Sequence, residues 1–240
     1  MHGLNYKSSI PRCMQAAWFI ENQAAMDPSV AEISTDILEH NRRLRAQVVA
    51  RDEARDEVLA ARAVLRWKQD ELRRAIRVIG YSLVGQMNGR RSSYAYALLF
   101  PNGYGGMAKS RGDRLLEAAN QLAQRLRLTT DEVVQSVMNT NGALFEQALA
   151  EARAATIALD GAILKAEDAR IALGLVKMDW IDAYYRVQRF FEARFARDRR
   201  RAEVYFLRFD RNGRTTVNDA PEPEPSSETE VGRPEDFAKR

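Results

Sequence analysis

The sequence holds one cysteine, Cys13, and two histidines, His2 and His40, in 240 residues. A lone cysteine excludes a disulfide framework and a thiolate zinc site, and it fits a reducing compartment. Two histidines leave little material for a metal centre, a general base or a catalytic triad. Glu39 precedes His40, but a di-iron bundle needs Glu-x-x-His motifs on facing helices, and no second helical histidine supplies one. No run approaches the roughly 18 apolar residues of a membrane span. The apolar patch at residues 16–20 is too short and too far in for a secretory signal. The expected compartment is the cytoplasm, with no cofactor, no metal and no enzymatic activity.

Lysine is scarce as well: 6 of the 37 basic residues are Lys, so 31 are Arg. A GC-rich coding sequence produces that bias without any selection for phosphate. Charge is uneven along the chain. Residues 218–240 carry seven acids against three bases, hence −4, and residues 1–217 carry 34 bases against 26 acids, hence +8.

What is present in quantity is a seven-residue repeat. Val30, Ile37, Leu44, Arg51, Val58, Leu65, Leu72 and Ile79 are each seven apart, and all but Arg51 are apolar. Phe145, Ala152, Leu159, Ala166, Leu173, Trp180 and Val187 form a second series. Ala148, Ala155, Ala162, Ala169, Val176, Ala183 and Phe190 lie three positions further on. Repeats this long keep one edge of a helix on its partner and impose a left-handed supercoil. Alanine on that edge lets two backbones approach closely.

The expected fold is therefore all-α: a long antiparallel, coiled-coil-like helical hairpin with a short N-terminal helix, a small Gly/aromatic-rich head and a disordered tail. Residues 1–27 read as a leader with a short helix near 11–25, the helix that carries Trp18 and Phe19 being free to cap the base of the hairpin. Asp27-Pro28 opens the first long helix, since proline suits the first helical position. Residues 28–217 form the hairpin, with the head inserted at 80–128. Seven of the 13 glycines fall in that insert, and an amphipathic helix spans about 112–128. Thr129 with Glu132 reads as a capping box for the second long helix. At 204–217 the choice lies between continued helix to about Phe209 and a hairpin around Asn212-Gly213; helix is the expectation. Residues 218–240, rich in Pro and Glu, bury too little to order themselves.

Three features bear on function. Residues 103–110, Gly-Tyr-Gly-Gly-Met-Ala-Lys-Ser, approach a phosphate-binding P-loop but carry Ala108 where the motif needs its second glycine. A P-loop also sits on a parallel sheet, which this chain does not promise. The reading is a glycine-rich turn. The head residues Tyr94, Tyr96, Phe100, Tyr104 and Met107 form either a partner-docking tip or a local core with Leu115, Leu122, Val133 and Val137. The segment 186–214 holds ten Arg and four acids. There Arg189, Arg194, Arg197, Arg199, Arg200 and Arg201 are candidates for binding nucleic acid or another acidic surface. The leading expectation is a non-enzymatic scaffold or adaptor that self-associates and shows a Gly/Tyr-rich tip to protein partners. Nucleic-acid or acidic-surface binding through 186–214 is the second.

Overall fold

A computed structural model of the chain describes residues 4–90, 93–207 and 209. Among them are seven α-helices: α1 (Ile10–Met26), α2 (Ala31–Gln86), α3 (Tyr94–Leu99), α4 (Gly103–Lys109), α5 (Asp113–Leu128), α6 (Glu132–Arg194) and α7 (Arg199–Val204). The long helices α2 and α6 pack together as the heptads require. Their direction is fixed by cross-links whose numbers rise on one helix and fall on the other. Gln47 Nε2 donates to the Ala169 carbonyl at 3.4 Å, Lys165 Nζ to Glu57 at 2.6 Å, Lys68 Nζ to Glu151 at 2.8 Å and Asn141 Nδ2 to Ser82 Oγ at 3.2 Å. The helices are antiparallel.

The chain divides into two compact units, one of residues 1–41 and 179–240, the other of residues 42–178. In the second unit the seam buries small residues as well as large ones. Ala54, Ala152 and Ala155 are buried, as are Phe145 and Leu173. Further along α2, Leu72, Ile76, Ile79 and Leu83 are fully enclosed, because α3, α4 and α5 add Tyr96, Leu99, Phe100, Leu115, Ala119 and Leu122 to the same core. Between these, Leu159, Ala162, Ala166, Ala169 and Val176 are only partly covered. Two helices alone cannot enclose a seam on every side.

In the first unit α1 buries Cys13, Ala16, Ala17, Ile20 and Ala24. Spacings of three and four pick out these residues as one face, and Trp18, 62% exposed, lies on the other. The centre of this unit is Asn41, which is fully buried. Its Nδ2 donates to the Ala17 carbonyl at 3.0 Å and its Oδ1 accepts from Trp180 Nε1 at 2.7 Å. One amide thus satisfies groups on α1 and α6 together. Around Trp180 lie Tyr184, Phe191, Phe195, Tyr205 and Phe206, with Phe195 and Tyr205 stacked at 6.0 Å and 8°.

Two local expectations are corrected. The start of α6 is capped by Asp131, whose Oδ1 accepts from Val134 N at 3.1 Å. Thr129 instead donates to the Arg125 carbonyl at the end of α5. The helix expected to run to Phe209 stops at Arg194. After a turn, α7 restarts with Asp198 capping Arg201 N, which brings Tyr205 back onto Phe191 and Phe195. Residues 210–217 and the tail 218–240 lie outside the described residues.

Asn41→Leu keeps the volume but strands the buried Trp180 N–H, while the Ala17 carbonyl retains its bond within α1. A loss of about 1–3 kcal/mol is expected from one buried donor left unpaired, measured as a lower urea midpoint; an unchanged midpoint would contradict the bridging role.

Candidate interaction surfaces

The head is built by packing rather than by a displayed loop. Ser93 caps α3, its Oγ accepting from Tyr96 N at 3.3 Å. This turns Ala95, Tyr96 and Leu99 inward. Phe100 follows at 2% exposure, and Pro101 and Asn102 lead to Gly103, whose φ of 73° reverses the chain into α4 at a value that β-carbons disfavour. Of the five residues considered for a docking tip, Tyr96 and Phe100 are thus inside the core, with ring centroids 5.6 Å apart. Tyr104 and Met107 are half-buried against it. Only Tyr94 stands fully out, at 84% exposure. Enclosing so much apolar area leaves α3 little to display.

Tyr104 lies directly over α2. A β-carbon at Gly80 would sit 2.4 Å from its ring, and Tyr81 meets the same ring at 5.0 Å. Glycine at 80 therefore makes room for an aromatic clamp between α2 and α4. No sequence signal marks it, because a glycine within a helical repeat reads as a weak point.

The glycines of the P-loop-like segment are wound into α4 itself. Lys109 occupies the last turn of that helix, not the start of one. The loop that would cradle a phosphate at a helix N-terminus is absent from this segment. Lys109 instead faces a groove beside α2, shared with Arg66, Arg73, Arg77 and Arg111.

In the first unit Arg189, Arg194, Arg197, Arg199, Arg200 and Arg201 are all exposed around the turn between α6 and α7. They do not act alike. Arg201 pairs with Asp27 at 3.3 Å and lies 4.8 Å from the centre of the Phe195 ring. Arg199 pairs with Glu203 at 3.4 Å. Asp27 also accepts from the Tyr205 hydroxyl. Burial, and then the Asp27 carboxylate, raise the Tyr205 pKa above the ordinary phenol value. Arg201 is thereby a structural tie, Arg199 is offset by Glu203, and the outward charge comes from Arg189, Arg194, Arg197 and Arg200.

A further surface was not read from the sequence. On α6, Ile157, Leu164, Ile171 and Met178 repeat every seven residues on the side facing away from α2. They are 72%, 68%, 51% and 49% exposed. Leu175 and Ile163, at 60% and 43%, extend the stripe. The inner seam of α6 is uniformly apolar, whereas this outer one is interrupted by Gly161 and Asp168.

Among the described residues no group of three or more His, Cys, Asp or Glu side chains gathers to hold a metal ion, and no helix is long and apolar enough to cross a membrane. Compared with protein-family models, with curated proteins and with solved structures, the chain matches none of them.

Gly80→Ala is expected to push Tyr104 off α2 and cost about 1–3 kcal/mol by overpacking, outweighing the roughly 1 kcal/mol that alanine offers a helix. Thermal unfolding measures this, and a variant more stable than the parent would rule the clamp out.

Proposed function

We propose that this protein is a non-enzymatic helical scaffold of the cytoplasm that associates with itself through the outer face of α6. The observation carrying this reading is the exposed stripe from Ile157 to Met178. Six large apolar side chains left this open amount to on the order of 600 Å², the upper end for a monomer surface patch and close to the ~800 Å² that each partner gives a standard interface. A second copy is the occupant that fits best. A straight heptad stripe is self-complementary, and Gly161 and Gly174 on the exposed side admit a close neighbour. The charges beside it are already used within the chain: Lys165 by Glu57 and Arg170 by Glu167 at 2.5 Å. An apolar partner of the same kind therefore suits this surface better than a charged one.

Presentation of a tip to a protein partner is the second half of the proposal. It rests on Tyr94, with Leu98 at 42% exposure and Tyr81 at 62% beside the head.

A nucleic-acid-binding reading is kept for one observation, the cluster of exposed Arg residues at the α6–α7 turn. Phosphate-driven binding collapses as salt rises. On this reading a gel shift is visible at low salt, lost at high salt, and weakened by a combined Arg199→Gln and Arg200→Gln variant. No shift at low salt removes it.

For the scaffold, light scattering on a sizing column is expected to give a dimer or larger at micromolar concentration. A combined Leu164→Glu and Ile171→Glu variant is expected to be monomeric with unchanged helicity by circular dichroism, since both positions are exposed. A wild-type monomer across the micromolar range would defeat the proposal.

A further inference from the structure

Three Arg residues on α2 and two basic residues at the α4–α5 junction converge on one open groove of about 530 Å³. Arg66, Arg73 and Arg77 share a helical face at intervals of seven and four, and Lys109 and Arg111 flank Ser110 opposite them. Asp70 is the one acid in the lining. It is engaged by Arg73 Nη1, and the same guanidinium donates from Nη2 and Nε to the Ser110 carbonyl at 3.2 and 3.4 Å. Arg73 thus ties the junction to α2 and cancels the only negative charge. Arg66, Arg77, Lys109 and Arg111 have no acidic partner among the described residues. Four uncompensated cations remain around one cavity.

Other bases of this unit are offset one by one: Lys68 is met by both Glu151 and Glu71, which raise its pKa, and Lys165, Arg127 and Arg170 are each paired with a glutamate. What sets the groove apart is that its cations gather around one space. Clustered like charges repel, and a concave wall concentrates their field on an anion. Guanidinium forks match phosphoryl oxygens in geometry as well as charge. From Arg66 to Arg77 the helix rises about 16 Å. Cations spread along that length suit a chain of linked phosphoryl groups better than a single orthophosphate. The groove lacks an aromatic lining on which a base could stack.

We infer that this groove binds a soluble linked-phosphate anion, with Arg66, Arg77, Lys109 and Arg111 as its ligands and Arg73 as the positioning residue. The site is independent of the α6 stripe and of the Arg residues at the α6–α7 turn.

The test is calorimetric titration of the full chain with sodium tripolyphosphate at physiological salt, with single-stranded DNA of matched charge as a second arm. One saturable site per chain is expected. Combined Arg66→Gln and Arg77→Gln should weaken it at least tenfold, as should Lys109→Gln, all three positions being exposed and changeable without loss of helicity. Arg199→Gln with Arg200→Gln should leave it unchanged. Absence of saturable binding overturns the inference, and so does loss only in the Arg199/Arg200 variant. DNA bound as tightly through the groove residues would overturn the ligand class.

Discussion

Close apposition of α2 and α6 along an alanine-lined edge is the constraint on which the other packing depends. Ala54, Ala148, Ala152 and Ala155 are small enough for two backbones to approach, and all four are buried. Only at that separation do the short and long cross-links close, from Asn141 on Ser82 to Lys165 on Glu57. In the other unit the same pairing brings Asn41 within 2.7 Å of Trp180, so that a buried amide can serve α1 and α6 at once. Enlarging an alanine on this edge would act on all of these contacts together.

A paired edge of this kind leaves apolar surface to be covered, and the chain meets the need differently in different places. Around Leu72, Ile76 and Ile79, the short helices α3, α4 and α5 close over α2 and α6. Around Trp180, the cover comes from α1 and from the aromatic residues that follow α6, with Tyr184 buried deeply enough that its pKa rises well above that of a free phenol. The stretch of α6 from Ile157 to Met178 receives no such cover among the described residues, and its outer face stays apolar. The proposed self-association answers that remaining exposure by the same physics, with a second copy supplying what neither set of short helices supplies.

Charge follows a complementary logic. Along the paired helices several bases sit against acids, among them Lys68, Lys165 and Arg170, and exposed pairs of that kind contribute little stability. Two places gather several bases with few acids: the turn between α6 and α7, and the groove beside Lys109. At the turn, Arg201 is tied to Asp27 and Phe195, which leaves its neighbours outward. In the groove, Arg73 absorbs Asp70 and fixes Ser110, which leaves four cations facing one space. Each is a local imbalance created by a structural tie.

The heptads of residues 30–79 and 145–187 determined by themselves that the fold is helical and that two long helices share a seam, because a period of seven over that length has no other stable use. Composition likewise pointed away from disulfides. Only the tertiary structure decided which aromatics are core and which are surface. Tyr94 and Tyr96 are two residues apart in the same short helix, yet one is exposed and the other enclosed, since the deciding neighbours come from α2 and α5. Gly80, Asn41 and the groove around Lys109 were illegible for the same reason. Their roles arise from residues distant in sequence, such as Tyr104, Trp180 and Arg77, and local periodicity carries no record of what lies across a packed interface.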